Sequence, residues 1–180
     1  MKKLLVLASI TAVVFFAAVL PARAMVPYML FQAGAGVPNA DDMEDANVGF
    51  AGNVTFGAKF LPFLAGQVET GYTYNTGDHG LKFSSIPVVA AVRLIIPVGA
   101  VEPYFIAGGG AYFVNAKNET DGGSTIYDQS STEYGLFGGG GVNFNINKFI
   151  VGFEFRYLAL DTDKVDASTY QSFVNFGFSF

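Results

Sequence analysis

The feature that most constrains this chain is the alternation of side chains from Tyr170 to Phe180. A β-strand has a side-chain period of two, so one face of this segment is apolar and bulky while the other is small or polar. The apolar face consists of Tyr170, Val174, Phe176, Phe178 and Phe180, opposed by Gln171, Asn175, Gly177 and Ser179. Chain ends in soluble domains are usually polar and frayed. The pattern therefore predicts a strand held in an apolar medium, as in the closing strand of a membrane barrel.

The first 24 residues have the three parts of a helical signal peptide. Lys2 and Lys3 precede an apolar run that ends at Leu20, and Ala22 and Ala24 form the small-x-small pattern that signal peptidase cleaves. We expect cleavage after Ala24, giving a signal peptide over residues 1–24 and an outer-membrane barrel domain over residues 25–180. The alternative is an uncleaved anchor, because the run is close to the minimum length of a spanning helix.

Charge and cysteine content restrict the possible partners. Loss of the leader removes three basic residues and leaves seven Lys and Arg against fifteen Asp and Glu, a net charge of −8. Because phosphate binding requires a basic surface, no nucleic-acid partner is expected. The chain has no Cys, so it can form neither a disulfide framework nor a thiolate metal site. We expect no cofactor.

The mature chain divides into short alternating segments. After the leader no run of eighteen apolar residues remains to form a spanning helix, and glycine clusters inside the segments disfavour helices, since each interior Gly costs about 1 kcal/mol. Eight strands are predicted: Pro27–Val37, Ala46–Leu61, Leu64–Thr76, Lys82–Ile96, Glu102–Asn115, Thr132–Asn145, Phe149–Asp161 and Thr169–Phe180. Short links alternate with longer polar stretches, as in bacterial outer-membrane barrels. The predicted fold is an all-β, eight-stranded antiparallel up-and-down transmembrane β-barrel.

The facing of the strands follows from their alternation. In strands two, three, four and seven, large apolar side chains share one face and charged or small side chains share the other. An eight-stranded barrel has room for only a modest interior, so the bulky face must point outward to lipid. Strand five does not fix its own facing, because Tyr104 and Ile106 compete with Phe105 and Phe113.

The charged residues of the strands are predicted to meet inside the barrel. Three cations and three anions would balance there, as an enclosed network requires. Symmetry about the short link between strands four and five predicts that Arg93 and Glu102 are near cross-strand partners. Two further pairs are predicted to be close: Lys59 and Glu69, which flank a turn about a diagonal apart, and Glu154 and Arg156, which are two apart on one strand. The expected result is a plugged, salt-bridged lumen, and the alternative is a gated ion path.

Several segments of the chain resemble one family. They are the leader, Ser85-Ile86-Pro87-Val88, Val101-Glu102-Pro103-Tyr104, Gly108-Gly109-Gly110-Ala111-Tyr112 and Val174 to Phe180. The mature chain is similar to the small outer-membrane β-barrel family that includes the OmpA transmembrane domain, OmpX-like proteins and opacity-type surface proteins of the porin family. The resemblance implies export to the outer membrane of a Gram-negative bacterium. It also implies that Phe176, Phe178 and Phe180 form the signal read by the barrel-assembly machinery.

The resemblance does not select one role, since family members include structural proteins, adhesins and immune-evasion proteins. We expect a monomer embedded in outer-membrane lipid, with a structural or adhesin-like surface role. The longest polar stretch, Ala116–Ser131, is the expected contact for an extracellular ligand because it should reach furthest. The alternatives are a small ion-conducting channel and a secreted lipocalin-like binding barrel.

Catalysis and metal binding are not expected. Hydrolysis through a serine needs a histidine within reach and an acid to orient it, but the only histidine, His79, lies in a glycine-rich loop. Asp41-Asp42-Met43-Glu44-Asp45 gathers four carboxylates without the ligand spacing of a dedicated calcium loop. This segment is interpreted as a hydrated acidic loop.

Overall fold

The structure, a computed structural model, describes residues 25–38, 48–76, 81–119, 125–161 and 166–180. Its strands are β1 (Val26–Pro38), β2 (Gly49–Leu61), β3 (Leu64–Thr76), β4 (Leu81–Ile95), β5 (Val101–Glu119), β6 (Thr125–Ile146), β7 (Phe149–Asp161) and β8 (Asp166–Ser179). Each strand pairs antiparallel with its neighbours in sequence, and β8 pairs with β1, so the sheet closes. The predicted eight-stranded up-and-down barrel is confirmed. The predicted leader, the acidic segment at 41–45 and His79 lie outside the described residues.

Large apolar side chains cover the outside of the barrel. Phe153 and Phe176 are 57% and 49% exposed on the outer surface, whereas Leu30 and Asn175 are fully buried inside. The facing predicted for strands two, three, four and seven is confirmed. In β5, Phe105 and Phe113 face outward while the interior positions are occupied by Tyr104, Ile106 and Tyr112. None of the described segments contains a helix long and apolar enough to cross a bilayer.

The short links all lie at one end of the barrel, here called the turn end. Pro62 and Phe63 join β2 to β3, and Asn147 and Lys148 join β6 to β7. Asn147 adopts a left-handed backbone with φ of 58°, a conformation that Asn tolerates better than most residues. The β4–β5 link bends at Gly99, whose φ is 69°. The opposite end, where the longer connections lie, is here called the loop end.

Most of the longest polar stretch is strand, so the predicted bounds of the loop over Ala116–Ser131 are wrong. β5 continues to Glu119 and β6 begins at Thr125, and the two stay paired through Asn115↔Ser130, Lys117↔Asp128 and Glu119↔Thr125. Membrane strands alternate because one of their faces meets lipid. A strand that continues past the bilayer meets water on both faces, so it loses the alternation and resembles a loop in sequence.

Candidate functional site

The interior of the barrel contains a buried charge network near the turn end. Its members, here called the central network, are Arg93 of β4, Glu69 of β3, and Glu154 and Arg156 of β7. Each of these residues is at most 4% exposed. Every second side chain of each strand points into the lumen, and these four side chains meet there.

The central network is a continuous line of alternating charges. Arg93 Nη2 donates to Glu154 Oε2 at 2.8 Å, and Arg156 Nη2 donates to Glu154 Oε1. Arg156 Nη1 donates to Glu69 Oε1 at 2.6 Å. Two cations and two anions therefore neutralise one another across β3, β4 and β7. A balanced set of this kind avoids the large cost of an uncompensated charge in a low-dielectric interior.

Neutral polar side chains complete the hydrogen bonding of the two carboxylates. The Tyr104 hydroxyl donates to Glu154 Oε2 at 2.7 Å, and Asn175 Nδ2 donates to that hydroxyl oxygen at 3.1 Å. Further bonds to the acids or their partners come from Gln32, Asn53, Thr55 and Gln67. Buried carboxylates with several donors are far less costly than bare ones, so this shell fixes the charges in place.

The guanidinium groups of both arginines lie over the faces of aromatic rings. The guanidinium carbon of Arg156 lies 4.6 Å from the ring centroid of Phe137 and 4.7 Å from that of Phe173. Arg93 lies 4.4 Å from the ring centroid of Tyr104. A desolvated cation over an aromatic face gains roughly 2 kcal/mol. The sequence interpretation missed these rings, although Phe173 shares the inward parity of Gln171 and Asn175.

A separate ion pair closes the turn end. Lys59 Nζ lies 2.6 Å from Glu102 Oε2, and their side chains are 22% and 13% exposed. Between this pair and Arg93 there is a cavity of only about 10 Å³, which is about the room that one water molecule needs. The lumen is therefore almost completely filled from the turn end up to the central network.

The structure places all six predicted charged residues inside the barrel, but two of the three predicted pairings are wrong. Arg93 is opposite Ile106 rather than Glu102, and its partner is Glu154 across the lumen. Lys59 is opposite Ala65 and pairs with Glu102 instead of Glu69. In a closed barrel of this width, long side chains reach strands that are not adjacent. Only the Glu154–Arg156 pair forms as the sequence predicted.

Both carboxylates of the central network are engaged by arginine: Glu154 by Arg93 and Glu69 by Arg156. Within the described ranges, no group of three or more His, Cys, Asp or Glu side chains is placed to hold a metal ion.

Glycine makes room for the rings that position the network. At Gly141 on β6, an added Cβ would lie 2.5 Å from the Tyr104 hydroxyl oxygen and closer still to the Phe153 carbonyl oxygen of β7, so Tyr104 and the neighbouring backbone together occupy the space of the missing side chain. Gly138 on the same strand faces outward, and its nearest neighbour would be the Ile106 carbonyl oxygen at 3.9 Å. The two glycines form a matched pair with opposite surroundings.

Gly141→Ala is expected to destabilise the barrel by about 1–3 kcal/mol, because the new methyl group must displace Tyr104 from Glu154 and Arg93 and also shift the β7 backbone at Phe153. Gly138→Ala is the control and should leave the free energy of unfolding within about 0.5 kcal/mol, since its methyl group enters open space. Urea unfolding of both variants in the same lipid measures the difference. Equal losses would show that Gly141 has no role in seating Tyr104.

The outer surface is a continuous apolar band. Its exposed members include Phe31, Phe50, Phe56, Val68, Ile86, Val88, Leu94, Phe105, Leu136, Phe149, Phe153, Phe155, Val174 and Phe176. Tyr72, Tyr157 and Tyr170 lie toward its loop end. An exposed apolar area of this extent is far larger than soluble monomers carry. Together with a charged interior, it is the arrangement of a barrel in hydrocarbon.

The chain matches no family model and no curated protein sequence, but solved structures share its fold. Neisserial surface protein A (NspA) superposes with a TM-score of 0.65 at 19% identity, covering 86% of this chain and 97% of that one. Ail of Yersinia pestis, in complex with the heparin analogue sucrose octasulfate, gives 0.59 at 13% identity over 87% and 99%. OprG of Pseudomonas aeruginosa gives 0.54 at 12% identity over 87% and 95%. The chain has the fold of the small eight-stranded outer-membrane β-barrels.

Proposed function

We propose that this chain is an integral outer-membrane protein of a Gram-negative bacterium, with a sealed lumen and a structural or surface-interaction role. One observation carries the proposal: large apolar side chains such as Phe153 cover the outside, whereas the charges of Arg93 and Glu154 are buried inside. This distribution is stable in hydrocarbon and unstable in water. It argues against the lipocalin-like alternative, which needs the apolar face inside.

The sealed lumen supports a structural role over an ion channel. The central network crosses the barrel interior from β3 through β7 to β4, and the Lys59–Glu102 pair closes the turn end below it. An ion would have to break several buried ion pairs to pass. We therefore assign these six charged residues to the stability of the barrel.

The proposal includes export through a cleaved signal peptide and insertion by the barrel-assembly machinery. Cleavage after Ala24 would release a mature domain over residues 25–180. Phe176, Phe178 and Phe180 would serve as the assembly signal. Support comes from their outward-facing rings at the turn end, where Phe178 lies 6.3 Å from Phe31 and 5.7 Å from Phe180 between centroids. We propose a monomer without enzymatic activity.

For a surface role, the candidate contact is the paired β5–β6 extension beyond Asn115, which replaces the predicted loop at 116–131. The extension is polar in sequence and continues the pairing of β5 with β6. A paired backbone has less conformational freedom than a loop, which lowers the ordering cost of binding an extracellular partner.

Fractionation and conductance together test the proposed function. We expect the mature chain in the outer-membrane fraction, resistant to urea extraction, with a gel mobility that shifts on boiling. Purified protein in planar bilayers should give no steady ion conductance. A soluble periplasmic product would disprove the membrane assignment, and a steady conductance lost in Arg156→Met would favour the channel.

A further inference from the structure

Above the central network, the loop end of the lumen contains a second feature, here called the mouth cavity. It has a volume of about 110 Å³ and is lined by residues of β1, β3, β4, β5, β7 and β8. Its walls include Thr73, Tyr112, Leu158 and Gln171. Below it, the rings of Phe137 and Phe173 cover Arg156. The mouth cavity is therefore a cup with a closed floor and not part of a pore.

One wall of the mouth cavity is apolar. Val114 of β5 and Leu158 and Leu160 of β7 line it. Leu158 is 4% exposed, so its side chain is held in place by the barrel. Apolar walls release poorly hydrogen-bonded water when an apolar group enters, which favours ligands with a hydrocarbon or aromatic body.

The other walls of the mouth cavity are polar. Gln171 is 8% exposed and Tyr112 is 6% exposed, and both line the cavity. The Gln171 amide and the Tyr112 hydroxyl can each donate and accept hydrogen bonds. A ligand with one hydroxyl or amide group can therefore bond to either side chain.

Charge on the ligand is disfavoured. Among the described residues that line the mouth cavity, none is Asp, Glu, Lys or Arg. Arg156 beneath the floor is already neutralised by Glu69 and Glu154. Glu133 is the register partner of Tyr112 on β6, but it is not part of the lining. A carboxylate or ammonium group would therefore enter the cup without a counter-charge.

We propose that the mouth cavity binds a small neutral amphiphile with one ring or a short alkyl body and one hydroxyl or amide group. The body packs against Val114, Leu158 and Leu160, and the polar group bonds to Gln171 or Tyr112. An apolar cavity of about 150 Å³ accepts benzene, so about 110 Å³ limits the ligand to roughly a single six-membered ring. The site is additional to the proposed surface role and does not depend on it.

Phenol titrated into the protein in lipid nanodiscs tests this site. Methyl resonances of Val114, Leu158 and Leu160 should shift and saturate, whereas benzoate and benzylammonium should bind at least tenfold more weakly. Gln171→Leu should weaken phenol binding about fivefold to tenfold by removing one hydrogen-bonding anchor. Leu158→Trp fills the cup and should abolish saturation. The matched control is Leu136→Trp, since Leu136 is 59% exposed on the outer surface.

Each contrary outcome overturns the proposal. Shifts that rise linearly without saturation would show partition into lipid, and an absence of shifts would show a hydrated vestibule only. Saturation that persists in Leu158→Trp, or equal binding of benzoate, would place phenol elsewhere. Boiling-dependent gel mobility verifies that each variant folds. If Leu158→Trp does not fold, Val114→Phe narrows the same cup and should weaken phenol binding by at least tenfold.

Discussion

Arg156→Met is expected to destabilise the folded barrel by about 3–5 kcal/mol, the usual cost of breaking a buried ion pair from one side. The loss leaves Glu69 and Glu154 without their shared cation in an interior where both are at most 4% exposed. The methionine side chain would also replace the guanidinium between Phe137 and Phe173, which removes two cation–π contacts. Glu69 would then have no cation, and Glu154 would keep only Arg93.

Urea unfolding in lipid vesicles, followed by far-ultraviolet circular dichroism and gel mobility, measures this loss. Lys59→Met is the matched control, because the Lys59–Glu102 pair is partly hydrated, and its cost should be about 0–1 kcal/mol. Adding Glu69→Gln to Arg156→Met should recover part of the stability by removing one uncompensated charge. Equal losses for Arg156→Met and Lys59→Met would show that burial does not determine the cost.

Strand number and facing could be predicted from the sequence, because lipid imposes a period of two on each strand. The same alternation predicted which charged side chains lie in the interior. The pairings within it could not be predicted, since Arg93 meets Glu154 across the lumen through the register of every intervening strand. The β5–β6 extension was missed for a related reason, because strands outside the bilayer carry no lipid-facing pattern.

The facing of β5 could have been predicted from which of its aromatic residues carry a hydroxyl group. Both faces of this strand carry large side chains, so hydrophobicity alone gives no answer. The inward ones, Tyr104 and Tyr112, bear hydroxyl groups, whereas the outward Phe105 and Phe113 do not. A phenol can donate to a buried carboxylate, as Tyr104 does to Glu154. A phenyl ring cannot, which is why the polar aromatic residues belong to the interior.

Phe153→Arg is the complementary test on the outer surface and should cost about 2–4 kcal/mol, as a cation at the middle of a lipid-facing strand does. Phe153 is 57% exposed to the surroundings of the barrel and lies between Val142 and Val174 on the neighbouring strands. Phe149 and Tyr157 on the same face extend the apolar band to either side of it. In water, the same substitution would be neutral or favourable, because it would replace an exposed ring by a charge.

The matched control for Phe153→Arg is Phe63→Arg in the β2–β3 turn. Phe63 is 49% exposed, but it lies at the turn end, where a guanidinium reaches the polar headgroups. The cost there should be about 0–1 kcal/mol by urea unfolding in the same vesicles. Because the two residues are similar in type and exposure, the difference in cost reports the depth of each position in hydrocarbon. A Phe153→Arg variant as stable as Phe63→Arg would mean that this surface does not face lipid.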